Sequence, residues 1–325
     1  MLFSLAHEIG FHFGEPVHFE PLFLRMRPRT DAMQSLLSFR VEISPAPERI
    51  DRIADLDGND LDRLWFREPQ KSLVLKATSQ VRTLRSNPFD FLFHDYRAGT
   101  LPLSYPVRLR PLLSPYLAPG PPPGRGPLFE RFMAHLKEVS RMETLPFLTA
   151  LARTIPDMLA PEIREEGHPR SPEETLAEGS GSCRDFALLA MEACRSLNIG
   201  ARFTSGYHFP VAPTAATLHG WAEVYLPEVG WRGVDPSEGI LTADRHIALV
   251  SSADPFLTLP TEGFYRGEGS SVLTTSVRVD LLEKEPAAGD REPPPLVPDR
   301  VTVPDLPREI PRPPLADSLA SFPAR

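Results

Sequence analysis

Between Gly179 and Gly239 the chain places together residue types able to do covalent chemistry. Gly179-Ser180-Gly181-Ser182 runs into a helical stretch that begins Cys183-Arg184-Asp185-Phe186-Ala187-Leu188. Ser182 is a good helix N-cap, which sets Cys183 at the first helical position. The unpaired N–H groups and positive dipole end there favour thiolate over thiol. Cys183, Phe186, Ala190, Cys194 and Leu197 share one stripe at helical spacing. The cysteine is therefore expected at the end of a buried face, where a cleft can form. Cys194 stands about 16 Å further along that helix, out of disulfide reach, and reads as a small buried hydrophobe.

Two strands should bring the partners. His219-Gly220-Trp221-Ala222-Glu223-Val224-Tyr225-Leu226 is followed by the turn Pro227-Glu228-Val229-Gly230 and then by Trp231-Arg232-Gly233-Val234-Asp235. Pro236 stops the second strand. Paired antiparallel, they set His219 near Asp235, giving nucleophile, base and orienter. The register decides the outcome: Tyr225 opposite Trp231 puts Asp235 on the face of His219, whereas Leu226 opposite Trp231 turns it away. Arg184 and Asp185 fit a salt-bridged helix start. Trp221 and Trp231 fit core positions, with lining or shielding the cleft as the alternative, and His208 and His246 fit structural or surface roles.

The blocks Gly181-Ser182-Cys183-Arg184-Asp185-Phe186-Ala187, Ser205-Gly206-Tyr207, His219 to Tyr225, Gly230-Trp231, Asp235-Pro236-Ser237 and Asp244-Arg245-His246-Ile247 resemble the bacterial transglutaminase-like family. His7 to Arg29 and Phe39 to Ala77 resemble the β-rich N-terminal region that accompanies such cores. The resemblance implies an α+β fold with a papain-like core and a thiol catalyst acting on carboxamide or peptide bonds. In that reading Cys183 is the nucleophile, His219 the base and Asp235 its orienter, and the backbone N–H of Cys183 is one oxyanion donor.

The flanking text supplies the frame. Residues 1–93 alternate or run apolar over strand lengths, as in Leu36 to Ile43 and Ser72 to Thr78, and predict an antiparallel β-sandwich-like domain. Asp55-Leu56-Asp57-Gly58-Asn59-Asp60 has its glycine at the fourth position, where an EF-hand loop needs it at the sixth, so a hairpin turn is expected. Residues 94–126, with Pro115 and the run Pro119 to Gly124, read as a linker without regular structure. The catalytic core is assigned to 127–281. Its first helix is expected from Leu128, with Phe129, Phe132, Met133, Leu136 and Val139 at helical spacing. A second is expected over Leu145 to Arg153, ending before Pro156. Residues 282–325 are rich in proline and read as a disordered tail.

Composition narrows the function classes. The chain has 325 residues, 41% of them hydrophobic and 24% charged, which suits a globular protein with a sizeable core. Its net charge of -8 and pI near 5.7 argue against a nucleic-acid binder. Two cysteines support neither a disulfide framework nor a Cys-rich zinc site. No apolar run reaches membrane-spanning length, and Met1 to Glu8 does not read as a signal peptide. A cytoplasmic enzyme needing no cofactor or metal, with a protein or peptide substrate and no membrane or nucleic-acid partner, is expected. Hydrolysis of an amide is preferred over transfer to an amine. A peptide-binding or assembly module with an idle thiol is the alternative from another class. Selective alkylation of Cys183, suppressed by mutation of His219, separates the two.

Overall fold

A computed structural model describes residues 1–119, 124–164, 167–210, 218–268 and 270–283. The proline run at 120–123 and most of the expected tail, 284–325, lie outside the described residues.

Period-two burial builds the N-terminal part. β1 (Leu2–Phe19) buries Phe3, Leu5, His7, Ile9 and Phe13, and β6 (Gln70–Thr83) buries Leu73, Leu75, Ala77 and Val81 at alternate positions. One antiparallel sheet runs β15 (Tyr265–Arg266), β1, β6, β3 (Gln34–Ser44), with β16 (Ser271–Glu283) also paired to β1. The other runs β14 (Thr261–Glu262), β2 (Leu22–Leu24), β5 (Asp60–Trp65), β4 (Arg49–Ala54). Ile9, Leu73 and Leu75 of the first sheet meet Leu22, Leu24 and Leu64 of the second in one apolar cluster. This is the N-terminal antiparallel sheet domain that the patterning predicts. The β4–β5 connection is a turn in which Asp55 Oδ1 accepts the N–H groups of Asp57 and Asn59, with Gly58 at φ +79°.

Three details differ from the sequence expectation. β16 lies along β1 from Leu2 to Phe13, so residues expected to finish the core domain instead complete the N-terminal sheet. α1 (Arg110–Leu117) forms inside the expected linker. Pro115 cannot donate to the carbonyl of Pro111, and that oxygen accepts the Ser114 hydroxyl instead. α3 (Thr144–Met158) continues through Pro156, carried by the packing of fully buried Leu151, Ala152 and Ile155.

The C-terminal half is helices against a sheet. α3 and α4 (Pro172–Glu178) pack on α5 (Cys183–Ser196), and α2 (Pro127–Ser140) packs on α3 and α4. Two-residue parallel strands β7 (Ala160–Pro161) and β8 (Ser180–Gly181) clamp the chain just before α5. Every residue of α5 from Asp185 to Arg195 is buried, so this helix is central and not amphipathic with one inward stripe. The five-stranded sheet beside it runs β12 (Ile240–Leu241), β11 (Gly230–Asp235), β10 (Leu218–Leu226), β9 (Gly200–His208), β13 (His246–Ser252). Ala222, Val224 and Leu226 of β10 join the core formed with α5. Gly206 permits the tight approach of β9 to β13: an added Cβ would stand 2.2 Å from the Ile247 carbonyl oxygen and 2.7 Å from the Trp221 ring. Among the described residues no helix is long and apolar enough to cross a membrane.

A buried ion cluster ties the two halves. Glu223 of β10 takes both guanidinium nitrogens of Arg29, the Arg202 guanidinium at 2.7 Å and the Ser251 hydroxyl at 3.3 Å. Burial would raise the Glu223 carboxyl, but Arg29 and Arg202 outweigh it and hold the group down at about 2. A depressed carboxyl contributes stability that is complete above its ordinary value of 4.5 and is lost as pH falls through about 2. Glu223→Ala, which strands two arginines, should cost about 3–5 kcal/mol in urea unfolding at pH 7. It should also flatten the decline of stability over that acid window. A loss under 1 kcal/mol, roughly the worth of an exposed ion pair, would contradict this account.

Candidate active site

Helix α5 starts as its sequence dictates. Ser182 N–H and its hydroxyl both donate to Asp185 Oδ2 at 2.8 Å, and Asp185 Oδ1 accepts Arg164 Nη2 and the Arg170 N–H at 2.7 Å. Asp185 is thus a fully buried anchor for the first turn, in the ion-paired role expected of it. Cys183, half-buried, is held at the first helical position.

The β10–β11 register is the one the site requires. Tyr225 pairs with Trp231 and Ala222 with Val234, while Glu228 at φ +65° and Gly230 at φ +80° make the turn between them. Asp235 then stands on the face of His219, and His219 Nε2 meets Asp235 Oδ2 at 2.8 Å. With Nε2 committed to the carboxylate, Nδ1 is left for the thiol. The His219 side chain and the Gly220 N–H both lie near enough to the Cys183 sulfur to favour its thiolate form. The three residues singled out in the sequence are brought together, with His219 hydrogen-bonded to Asp235.

The electrostatics of the site follow from burial and charge. Burial alone would raise the Cys183 thiol; the His219 hydrogen bond and charge and the Gly220 N–H outweigh it, and the thiol is held below its ordinary value. Burial would lower His219, yet the Asp235 charge and hydrogen bond, aided by Cys183, hold it well above the ordinary value. Asp235 has no exposed surface; despite burial it is held ionised by His219 and by hydrogen bonds from both His219 and His246. Both shifts favour a thiolate–imidazolium pair over the neutral pair.

Sequence reasoning missed the surroundings of Asp235. His246 Nε2 reaches the same Oδ2 at 2.9 Å, and His208 stacks on His246 with ring centroids 4.6 Å apart. Burial above all pushes His208 down to about 3. The signal was the cross-strand pair His246–His208 at the ends of β13 and β9, visible only once those strands are known to be neighbours. Trp221, expected in the core, is indeed buried, but its ring also walls the site, 5.2 Å from His246 and 6.1 Å from His219. Trp231 takes the Arg202 guanidinium over its face at 4.1 Å.

Among the described residues, His219, Asp235 and His246 are the group whose ligand atoms are close enough together to hold a metal. Those atoms already share protons, and a cation would have to displace the proton that each ring shares with the carboxylate.

Residues 3–82 match the bacterial transglutaminase-like N-terminal region, and residues 147–236 match the transglutaminase-like superfamily core, spanning Cys183, His219 and Asp235. The chain carries a transglutaminase-like superfamily core behind a bacterial transglutaminase-like N-terminal region. An uncharacterized protein of Mycobacterium leprae is 24% identical over 287 residues, covering 86% of this chain and 98% of that protein. An uncharacterized protein of Mycobacterium tuberculosis is 27% identical over 287 residues, covering 79% and 86%. The crystal structure of "a Putative Cysteine Protease from Cytophaga hutchinsonii" superposes with a TM-score of 0.64 at 19% identity, covering 88% of this chain and 92% of that one. The shared architecture runs through both the N-terminal sheets and the core, and this transglutaminase-like fold is one that cysteine-dependent enzymes use.

Proposed function

We propose that the protein is a cysteine-dependent acyl-transfer enzyme that cleaves peptide or glutamine-type amide bonds, with water as the usual acceptor. The observation that carries this reading is the placement of His219 beside Cys183, with the far nitrogen of its ring hydrogen-bonded to a fully buried Asp235. The Cys183 thiolate attacks the amide carbon, and the carbonyl π bond becomes an oxyanion. The N–H of Cys183, at a position with no intrahelical acceptor, faces that charge as one donor. The proton on His219 Nδ1 passes to the leaving nitrogen as the C–N bond breaks, leaving a thioester and neutral His219. His219 then takes a proton from water as its oxygen attacks the thioester, the C–S bond breaks to restore the Cys183 thiolate, and the carboxylic acid product leaves and gives its proton to solvent. Asp235 keeps Nε2 protonated throughout, so that Nδ1 alone exchanges protons.

Purified protein incubated with an unfolded protein substrate, a glutamine peptide and a fluorescent primary amine separates the outcomes. New carboxyl termini or released ammonia are expected without amine incorporation, and Cys183→Ala should abolish both. Amine incorporation exceeding hydrolysis would make the protein a transferase. Equal product in Cys183→Ala would overturn the thiol mechanism.

A further inference from the structure

Asp235 carries more donors than a Cys–His pair needs. Its Oδ1 accepts the N–H groups of Ser237 and Glu238 at 2.9 and 3.4 Å, and Oδ2 accepts His219 Nε2 and His246 Nε2 at 2.8 and 2.9 Å. His246 opens β13, its side chain is 3% exposed, and its ring lies between His208 and the edge of Trp221. Packing on both sides fixes the ring plane, so its N–H is aimed before any substrate arrives.

The protonation state follows from the neighbours. A nitrogen meeting a carboxylate oxygen at 2.9 Å holds its proton, so Nε2 is the protonated atom. Among the described residues Nδ1 is buried with no hydrogen-bond partner, and a second N–H there would find no protein acceptor among them. A charged His246 would also face imidazolium His219, with ring centroids 6.4 Å apart. His246 also lines a cavity of about 300 Å³ together with Arg153, Arg245 and Asp244, two cations and one anion. The ring is therefore neutral, with Nε2–H and a bare Nδ1.

We propose that His246 is a positioning residue: its neutral ring donates a fixed hydrogen bond to Asp235 Oδ2 that keeps the carboxylate ionised and aimed at His219. It acts on Cys183 through Asp235 and His219, and the proposal rests on the thiolate–imidazolium reading above. His208 stacks on the ring and, held neutral, adds no competing charge.

The test is the alkylation rate of Cys183 by iodoacetamide across pH in the full chain. His246→Leu should slow it about tenfold at pH 6.5 and move the rising limb up by about one pH unit, one unit being a tenfold change in ionisation. His246→Gln, which keeps a side-chain N–H, should stay within about threefold of the wild-type rate, the ordinary spread for a retained hydrogen bond. Equal losses in both variants, or a folded His246→Leu with the wild-type profile, would overturn the proposal. His219→Ala is the control: a wild-type rate no higher than its rate refutes the ion-pair reading and this proposal with it. Where His246→Leu fails to fold, nitrogen-15 imidazole spectra of the wild-type protein decide. A neutral Nε2–H tautomer for His246, assigned by its loss in His246→Gln, supports the proposal; an Nδ1–H tautomer overturns it.

Discussion

His219→Ala should slow alkylation of Cys183 at pH 6.5 by about a hundredfold, because a thiol returned to an ordinary pKa near 8.5 is only about 1% ionised there. In the native site the thiolate is held by two contacts, the His219 ring and the Gly220 N–H. Removing the ring leaves one weak donor against the burial penalty, which then acts unopposed on the charged form. The loss should shrink steadily as pH rises towards 9, since the variant thiol ionises without help. Substrate turnover should fall further and should not recover at high pH, because the variant has also lost the acid that protonates the leaving nitrogen. Cys194, without exposed surface and held up by burial, should remain unlabelled in both proteins and serve as the internal reference. Equal rates in wild type and variant at pH 6.5 would mean that the thiol owes its reactivity to the helix start alone.

Asp235→Asn should cost on the order of tenfold or more in both alkylation and turnover while the fold is kept. The argument is one of donors and acceptors. Oδ1 already accepts the N–H groups of Ser237 and Glu238, so an asparagine would keep its oxygen there and place its amide nitrogen at Oδ2. That nitrogen would confront the protonated Nε2 atoms of both His219 and His246. Donor would face donor twice, and relief requires His219 to switch tautomer and leave Nε2 bare. The proton then sits on Nδ1 without a carboxylate behind it, and the imidazolium loses its counter-ion. An unchanged midpoint of thermal unfolding with a fallen alkylation rate is the expected pattern. A folded Asp235→Asn protein with near-wild-type reactivity would reduce the site to a Cys–His pair.

Local chemistry in the sequence was enough to locate Cys183, His219 and Asp235 and to state the register they need. Ser182 before Cys183 marks a helix start, and Pro227 to Gly230 marks a turn; both act within a few residues. The turn left two registers open, and the structure takes the one with Tyr225 opposite Trp231. The N-terminal sandwich was legible for the same reason, through alternation along β1 and β6. What escaped is non-local. His246 becomes part of the site only because β13 pairs with β9 and β9 with β10, which no spacing along the chain reveals. β16 pairs with β1 across more than 260 residues, and its Val277, Val279 and Leu281 pack on the cluster that joins the sandwich to the core. Helix α1 escaped because Pro115 argues against a helix locally, while the packing of buried Leu113 outweighs that argument. The single apolar stripe expected of α5 was the face towards one layer; the full burial of Asp185 and Glu192 could not be foreseen without their ion-pair partners Arg164, Arg125 and Arg195.

The central claim is that Cys183 rests as a thiolate paired with protonated His219, and the pH dependence of its alkylation in the wild-type protein tests it most directly. The rate, assigned to Cys183 by peptide mass spectrometry, should rise with a midpoint well below the ordinary thiol value of about 8.5 and stay high through neutral pH. A second change should appear at high pH, where His219 gives up its proton. A single rise centred near 8.5, unmoved by His219→Ala, would contradict the ion pair and with it the catalytic reading of the site.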